Sequence, residues 1–397
     1  MIFDGGHFKS DLRNRTLRLV STCASRYNRN EANRIRGGYM RDWRWHALLA
    51  CFSIALVSLP GCGNLATGLP VSSGGTPLAH VDLAYKTEVQ VRYLGAGGVL
   101  IKRGDDAILT APFFSNPSIP RVAFGHIEAL PEQIDHFLKP VSEYLLPVEA
   151  VLVGHAHYDH LMDIPHIKTT YLPVAKIYGS DAATNTLLAA LKSNEVQSVQ
   201  EKPIGDSTKA GKWWYVSNNR IRFMALKSEH APVVLHLKFF EGNYDQPLSE
   251  LPRRASGWVE GQTLGYLIDF LNTDGKVDFR IHYQDAASTH PLGFPPPLDQ
   301  LQDARSVDLA IICMPGFDQV EEFPEQIVNR LKPRYALVIH WENFFRRLPD
   351  DPKDLHTLPT LNAERFLERL DKVLKDNNPS SFYKLPAPGT WLRFAPS

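Results

Sequence analysis

The segment His155-Ala-His157-Tyr-Asp159-His160 constrains this chain more than any other. It sets three imidazoles and one carboxylate within six residues, directly after the apolar run Glu149-Ala-Val-Leu-Val-Gly154. Such a run has the length and composition of a buried strand closed by glycine. A ligand-dense loop at a strand end rides on a rigid scaffold, where binding and catalytic groups concentrate. Neutral imidazole and carboxylate suit Zn²⁺ and, less selectively, Fe or Mn. In extended chain His155 and His157 project from the same side, so they can share one cation. Asp159 and His160 must turn away from that line. They suit a second cation, roughly 3.5–4 Å off in hydrolytic two-metal sites, or proton transfers beside it. Among 15 His in 397 residues a chance pair is unremarkable, but three His and an Asp in this order are not.

Four donors do not complete two coordination spheres, so others are expected downstream. His230 follows the strand-like Phe223-Met-Ala-Leu-Lys and precedes Pro232. Asp285 follows Phe279-Arg-Ile-His-Tyr-Gln and runs into small residues. His340 closes Tyr335-Ala-Leu-Val-Ile. A lone His or Asp at a strand end is more often structural or solvated. Together they repeat one pattern, a strand with a ligand-type residue at its end.

This order of residues resembles the metallo-β-lactamase-fold hydrolases, whose motif is His-x-His-x-Asp-His followed by a distant His, Asp and His. The resemblance runs from about Glu88 to the C-terminus. Together with Val89-Gln-Val-Arg-Tyr-Leu-Gly-Ala-Gly-Gly, it is strongest to the branch containing N-acyl-phosphatidylethanolamine phospholipase D and L-ascorbate-6-phosphate lactonase. It implies a four-layer αββα sandwich and two divalent cations, Zn or else Fe or Mn. His155, His157 and His230 would hold the first cation. Asp159, His160 and His340 would hold the second, with Asp285 bridging. Asp159 would also orient the nucleophile and accept its proton. Two positions depart from the branch: Ala111 stands where an Asp is usual, and Gln284 where a Gly precedes the bridging Asp. The first removes an outer partner of the kind that orients metal ligands.

The first sixty residues read differently. Residues 1–39 carry seven Arg and one Lys against Asp4, Asp11 and Glu31, without apolar periodicity. They are expected to be a disordered or untranslated leader rather than a nucleic-acid arm. From Met40 the chain has a basic stretch, an apolar core from Ala47 to Leu59, and Pro60-Gly61-Cys62. That is the pattern of a secretory signal, with an apolar core too short to span a bilayer. Leu59-Pro-Gly-Cys62 resembles a bacterial lipobox, so Met40 is the expected start and Cys62 the expected site of lipidation. Residues 63–80, rich in Gly, Ser and Pro, read as a flexible tether, leaving 81–397 as the hydrolase domain. The expected location is the bacterial cell envelope, lipid-anchored and facing the periplasm or exterior.

Hydrophobic content of 44% is ample for a core. A formal net charge of zero gives no electrostatic case for nucleic acid. Cys313 lies in Asp308-Leu-Ala-Ile-Ile-Cys and reads as a buried strand residue. Hairpins are expected at Val99–Thr110, turning at Gly104–Asp106, and at Trp214–Leu226. Helices are expected at Thr184–Leu191 behind a Ser180-Asp181 cap, at Phe323–Leu331 and at Ala363–Lys375. The long connection 236–261, with Phe239, Phe240, Tyr244 and Trp258, is either a substrate wall or an excursion packed by its own aromatics. Gly293–Leu298 is a stiff rim or a spacer. His290 and Tyr158 are candidates to assist a leaving group, though each is more often structural. The function read from this sequence is a membrane-tethered dinuclear hydrolase of phosphodiester, phospholipid-like substrates. A lactone, thioester or β-lactam hydrolase on the same fold, and a non-catalytic metal-binding lipoprotein, are the competing readings. The partners are a small-molecule or lipid substrate and a membrane; nothing in the sequence fixes an oligomeric state.

Overall fold

The computed structural model describes residues 63–396 apart from 80, 233–237 and 302. The leader, the signal segment and Cys62 lie outside the described residues.

Two mixed sheets face one another. The first runs in the order β15-β2-β3-β4-β5-β6-β7, from β2 (Val89–Gly95), β3 (Gly98–Arg103), β4 (Asp106–Thr110), β5 (Val148–Leu152), β6 (Lys176–Gly179), β7 (Val196–Ser198) and β15 (Trp391–Phe394). The second runs β1-β14-β13-β12-β11-β10-β9-β8, from β1 (Val71–Ser72), β8 (Trp214–Val216), β9 (Ile221–Lys227), β10 (Leu264–Leu271), β11 (Val277–Gln284), β12 (Leu309–Cys313), β13 (Tyr335–Ile339) and β14 (Phe382–Pro386). Aromatic side chains fill the space between them. Tyr178 of β6 packs edge-on against Phe223 of β9, and the Tyr266 hydroxyl of β10 donates to the Val153 carbonyl beyond β5. Every residue of β10, β12 and β13 is buried, as expected of strands covered on both faces.

Helices form the outer layers. Helix α1 (Asp181–Leu187) lies beside β6 and β7, capped by the Ser180 hydroxyl, which accepts the Ala183 N–H. On the other side helix α3 (Ala363–Asn377) packs against β14, and helix α2 (Glu325–Leu331) packs against α3. Helix α3 buries Phe366, Leu367, Leu370, Val373 and Leu374 as one stripe, with the Phe366 ring 5.2 Å from Phe317. The four-layer αββα sandwich is thus the architecture observed. Both expected hairpins form. In the second, Ser217, Asn218 and Asn219 all adopt positive φ, the backbone that tight turns require and that Asn tolerates. Cys313 is a buried free thiol on β12.

One expectation needs correction. The Gly/Ser/Pro stretch after Cys62 is no free tether over its described residues. Val71–Ser72 pair in parallel with Leu385–Pro386. The Ala66 N–H donates to Leu355 O at 2.8 Å, the Thr357 N–H to Asn64 O at 3.0 Å, and the Trp391 N–H to Gly74 O at 2.9 Å. The composition does favour flexibility, but β14 would otherwise present an open edge, and this segment pairs with it. The described part of this segment therefore packs as part of the domain that was expected to start at 81. Among the described residues no helix is long and apolar enough to cross a membrane.

Candidate metal centre

Strand direction explains why distant residues meet. In the eight-stranded sheet β9 runs antiparallel to β10, and β10 antiparallel to β11, while β11, β12 and β13 are parallel. Strands β9, β11 and β13 therefore point the same way. Their C-terminal ends, which lead to His230, Asp285 and His340, open on one edge. Strand β5 brings His155 to the same edge from the facing sheet. Its end is stitched across by Leu264 N–H to Gly154 O at 2.7 Å and Ala156 N–H to Glu260 O at 3.0 Å. A single helical turn, Tyr158–Leu161, then reverses the chain and turns Asp159 and His160 inward.

All seven expected side chains converge. Their donor atoms form three overlapping groups, each within 4.8 Å: His155, His157 and His230; His155, His160 and Asp285; and Asp159, His160 and His340. The first and third are the two triads expected from the sequence. Asp285 joins them by reaching one residue of each, with Oδ1 3.2 Å from His155 Nδ1 and Oδ2 3.3 Å from His160 Nδ1. Asp159 Oδ2 lies 3.4 Å from His160 Nε2 and 3.3 Å from His340 Nε2. Ring centroids are 4.7 Å apart for His155–His157 and His155–His230, and 5.0 Å for His160–His340.

The donors fit cations on two independent grounds. Buried polar atoms are nearly always hydrogen-bonded, yet His155 Nε2, His157 Nε2 and His340 Nδ1 are buried with no hydrogen-bond partner, and His160 Nδ1 has the Asp285 contact at 3.3 Å but no hydrogen bond. His230 shows the complementary arrangement. Its Nδ1 donates to the Ala231 carbonyl at 2.7 Å, which fixes the tautomer and leaves Nε2 with its lone pair, as a metal ligand needs. The charge states agree. Burial, followed by the neighbouring His155 and His230, holds His157 well below the ordinary imidazole value. Burial and His155 bring His160 down to about 3 and His230 to about 4. These rings are neutral at pH 7, the ligating form. Burial opposes ionisation of both carboxylates, but the surrounding rings overcome it. His160 and His340 hold Asp159 well below the carboxylate range, and His160 and His155 bring Asp285 to about 2. His155 moves the other way: burial lowers it, and the adjacent Asp285 more than compensates. A cation bound to either group competes with that proton.

Space around the donors is kept by glycines. A Cβ on Gly154 would lie 2.1 Å from Asp285 Oδ1, and one on Gly97 would lie 2.7 Å from His160 Nδ1. Sequence reading missed Gly97 and Gly154, although each sits in a quoted motif. It also missed Tyr283, whose hydroxyl lies 2.7 Å from Gly97 O and 3.2 Å from Asp285 Oδ2.

The 238–261 connection is both things at once. Trp258 is buried and donates to Pro252 O, and the Tyr244 hydroxyl donates to Gly257 O, so the loop packs on itself. It also sets the Phe240 ring edge-on to His157 at 6.0 Å, which makes it a wall of the site. Of Gly293–Leu298, Gly293–Pro296 are buried, Pro297 is half-buried and Leu298 is exposed. His290 is exposed and packs on Phe294, and Tyr158 turns its ring to Phe113. Burial, with Asp159 adding to it, raises the Tyr158 phenol well above its usual value. Ala111 is fully buried, and its N–H donates to Leu152 O at 3.1 Å. Phe114 N–H, Ser115 N–H and the Ser115 hydroxyl instead meet the buried carboxylate of Asp163, at 2.7, 3.0 and 2.5 Å.

No family model and no curated relative matches the sequence. Solved structures are similar in fold. The metallo hydrolase Igni18 from the archaeon Ignicoccus hospitalis KIN4/I is 15% identical, aligns over 78% of this chain and 100% of its own, and gives a TM-score of 0.45. The metallo-β-lactamase fold protein YhfI from Bacillus subtilis is 15% identical over 77% and 99%, with a TM-score of 0.41. An isothiocyanate hydrolase from Delia radicum gut bacteria is 13% identical over 78% and 99%, at 0.44.

Proposed function

We propose that the protein is a dinuclear metal-dependent hydrolase acting on phosphodiesters, with phospholipid-like molecules as its substrate class, and that it is held at a membrane through Cys62. The observation that carries the hydrolase reading is the junction at Asp285, whose two oxygens face one ring from each triad. Seven donors shared between two adjacent sites leave positions open. A structural zinc site is usually closed by four protein ligands, so the shared arrangement speaks against a purely structural role.

When bound, a pair of divalent cations supplies Lewis acidity and a nucleophile at neutral pH. His155, His157 and His230 would hold one, Asp159, His160 and His340 the other, and Asp285 both. Asp159 is ionised at neutral pH. Its Oδ2 faces His160 and His340, and its Oδ1 is the atom assigned to orient the nucleophile and take its proton. Phe240 and the loop behind it exclude water from the His157 side. The phosphodiester preference is supported by the resemblance of the lead motif to the phospholipase D branch. Membrane attachment is supported by the lipobox-like Leu59–Cys62, and Met40 is taken as the start.

Metal quantification on the purified mature chain is expected to give two equivalents, with hydrolysis of bis(p-nitrophenyl) phosphate. His157→Ala is expected to lose one equivalent and turnover. Full metal content with retained turnover in that variant would refute the ligand assignment. Lactone turnover in place of the diester would move the substrate class, and no ester hydrolysis by the loaded protein would favour a binding role. Mass spectrometry of the mature N-terminus tests the anchor: a diacylated Cys62 is expected, and any peptide from residues 1–39 would rule out Met40 as the start.

A further inference from the structure

His340 is the one member of the seven with a left-handed backbone, at φ 62°. Residues with a side chain adopt that conformation rarely, and it persists where surrounding contacts over-determine it. The contacts are present. The His340 N–H donates to the Tyr93 hydroxyl at 2.8 Å. Tyr93 carries a single phenolic proton. It has Glu342 Oε2 at 2.5 Å and the Ala96 carbonyl at 3.3 Å, so the proton goes to Glu342 and a lone pair remains for His340. The other oxygen of Glu342, Oε1, accepts the Ala96 N–H at 2.6 Å. Ala96 is itself left-handed, at φ 45°. It sits beside Gly97, whose Cα faces His160 Nδ1 closely enough to exclude a Cβ.

Two strained backbone positions on facing sheets, one carrying a ligand and one lying beneath another, are thus tied to one carboxylate. Glu342 and Tyr93 are both essentially inaccessible to solvent. A carboxylate is costly to bury without donors, and both of its oxygens have one. The chain on either side is pinned too. Glu342 bridges Thr357, and the Trp341 indole N–H donates to Pro386 O at 2.9 Å.

We propose that Tyr93 and Glu342 are positioning residues for the Asp159–His160–His340 group, with Glu342 clamping the Ala96 turn and, through the Tyr93 hydroxyl, the His340 backbone. The clamp touches no reacting atom and rests on the dinuclear reading. Its loss loosens one triad and leaves the His155–His157–His230 triad unchanged.

The test uses Tyr93→Phe and Glu342→Gln, which keep shape and packing, in the full mature chain. In the metal-free protein, amide hydrogen exchange at His340 should accelerate in both variants. In titrations with Zn²⁺ and with spectroscopically visible Co²⁺, one cation should bind as in the parent and the other 10- to 100-fold more weakly, the usual cost of removing an outer partner. The double variant should lose little beyond the larger single loss, since the two residues act as one unit. Unchanged His340 exchange, or weakening of both cations alike, overturns the clamp. If Glu342→Gln fails to fold, Tyr93→Phe alone decides, through the same exchange and titration. A parent protein that takes up no cation overturns the dinuclear reading itself, whereas a parent with two cations and variants indistinguishable from it overturns only the clamp.

Discussion

Two clusters of buried polar side chains, one within the eight-stranded sheet and one where its strand ends meet the end of β5, treat their hydrogen-bonding groups in opposite ways. One is a cross-strand row in which Asp269 of β10 stands opposite Arg222 of β9 and Arg280 of β11. Its atoms are paired. Arg280 places Nε 2.6 Å from Asp269 Oδ1 and a second nitrogen 2.8 Å from Oδ2, and donates to the Asp303 and Arg305 carbonyls. Arg222 adds Asp269 Oδ2 at 2.9 Å and Asp303 at 2.6 Å. The other cluster is the seven-residue group at the strand ends, where four imidazole nitrogens are buried without a hydrogen bond. Burial and charge are common to both. Only completeness differs, and completeness is what separates a structural network from one arranged for a ligand. An orphan nitrogen is not sufficient alone. His282 Nδ1 is buried and unpartnered too, but His282 belongs to none of the three donor groups.

The contrast is most sharply tested by removing the shared acid of the paired row. Asp269→Ala leaves two buried guanidinium groups short of a counter-charge and is expected to cost about 3–5 kcal/mol, read by urea unfolding in chelator. A cost below about 1 kcal/mol would show that the row is solvated in solution and break the comparison. His282 gives the next largest effect. Burial outweighs its bond to Gly293 O and lowers its folded pKa to about 4, against an unfolded value of about 6.5. Above pH 6.5 both states are neutral and the stability is fully present. Between pH 6.5 and 4 the unfolded chain binds a proton that the folded chain refuses, so stability falls as pH falls, by a total on the order of 3 kcal/mol. His282→Gln should flatten that part of the stability–pH curve relative to the parent; parallel curves would mean that His282 protonates in place.

How much of this was legible beforehand differs between the clusters for a physical reason. A cluster of His and Asp donors draws on a few residue types, and its lead motif is local. His155 to His160 pointed to the cluster, and the strand-then-ligand pattern pointed to His230, Asp285 and His340, which the fold brings beside it. Elements with a local code were legible as well, such as the Ser180 cap and the Ala363 helix stripe. The helix expected at Thr184–Leu191 begins at Asp181 and stops at Leu187, and Phe323–Leu331 begins at Glu325, since end residues depend on contacts that propensity does not encode. The Tyr93–Glu342 bond spans 249 positions, and nothing local marks either partner. The 63–80 stretch misled because composition reports what a chain prefers alone, while the open edge of β14 pairs with Val71–Ser72.

Cation binding comes next in size. A ligand that binds only the folded state stabilises it by about 2.7 kcal/mol at a hundredfold excess over its dissociation constant. Adding Zn²⁺ to metal-free protein should therefore raise the unfolding midpoint. The increment should be the same in Asp269→Ala, because the row and the donor cluster share no partner. An increment that shrinks in Asp269→Ala would show the two clusters to be coupled, and the contrast between them would have to be redrawn.

The smallest expected effect is the one most particular to an orphaned site. In metal-free protein His157→Ala removes a largely buried ring, which costs packing. It also removes a desolvated nitrogen that has no partner, and relief of that penalty is worth about 1–3 kcal/mol. The two oppose each other, so the metal-free variant should unfold within about 1 kcal/mol of the parent, a fraction of the Asp269→Ala loss. With Zn²⁺ present the gap should widen, because only the parent gains the full increment. A metal-free loss as large as that of Asp269→Ala would mean that the His157 ring is held by the fold as firmly as the paired row, and the orphaned nitrogens would no longer single out a ligand site.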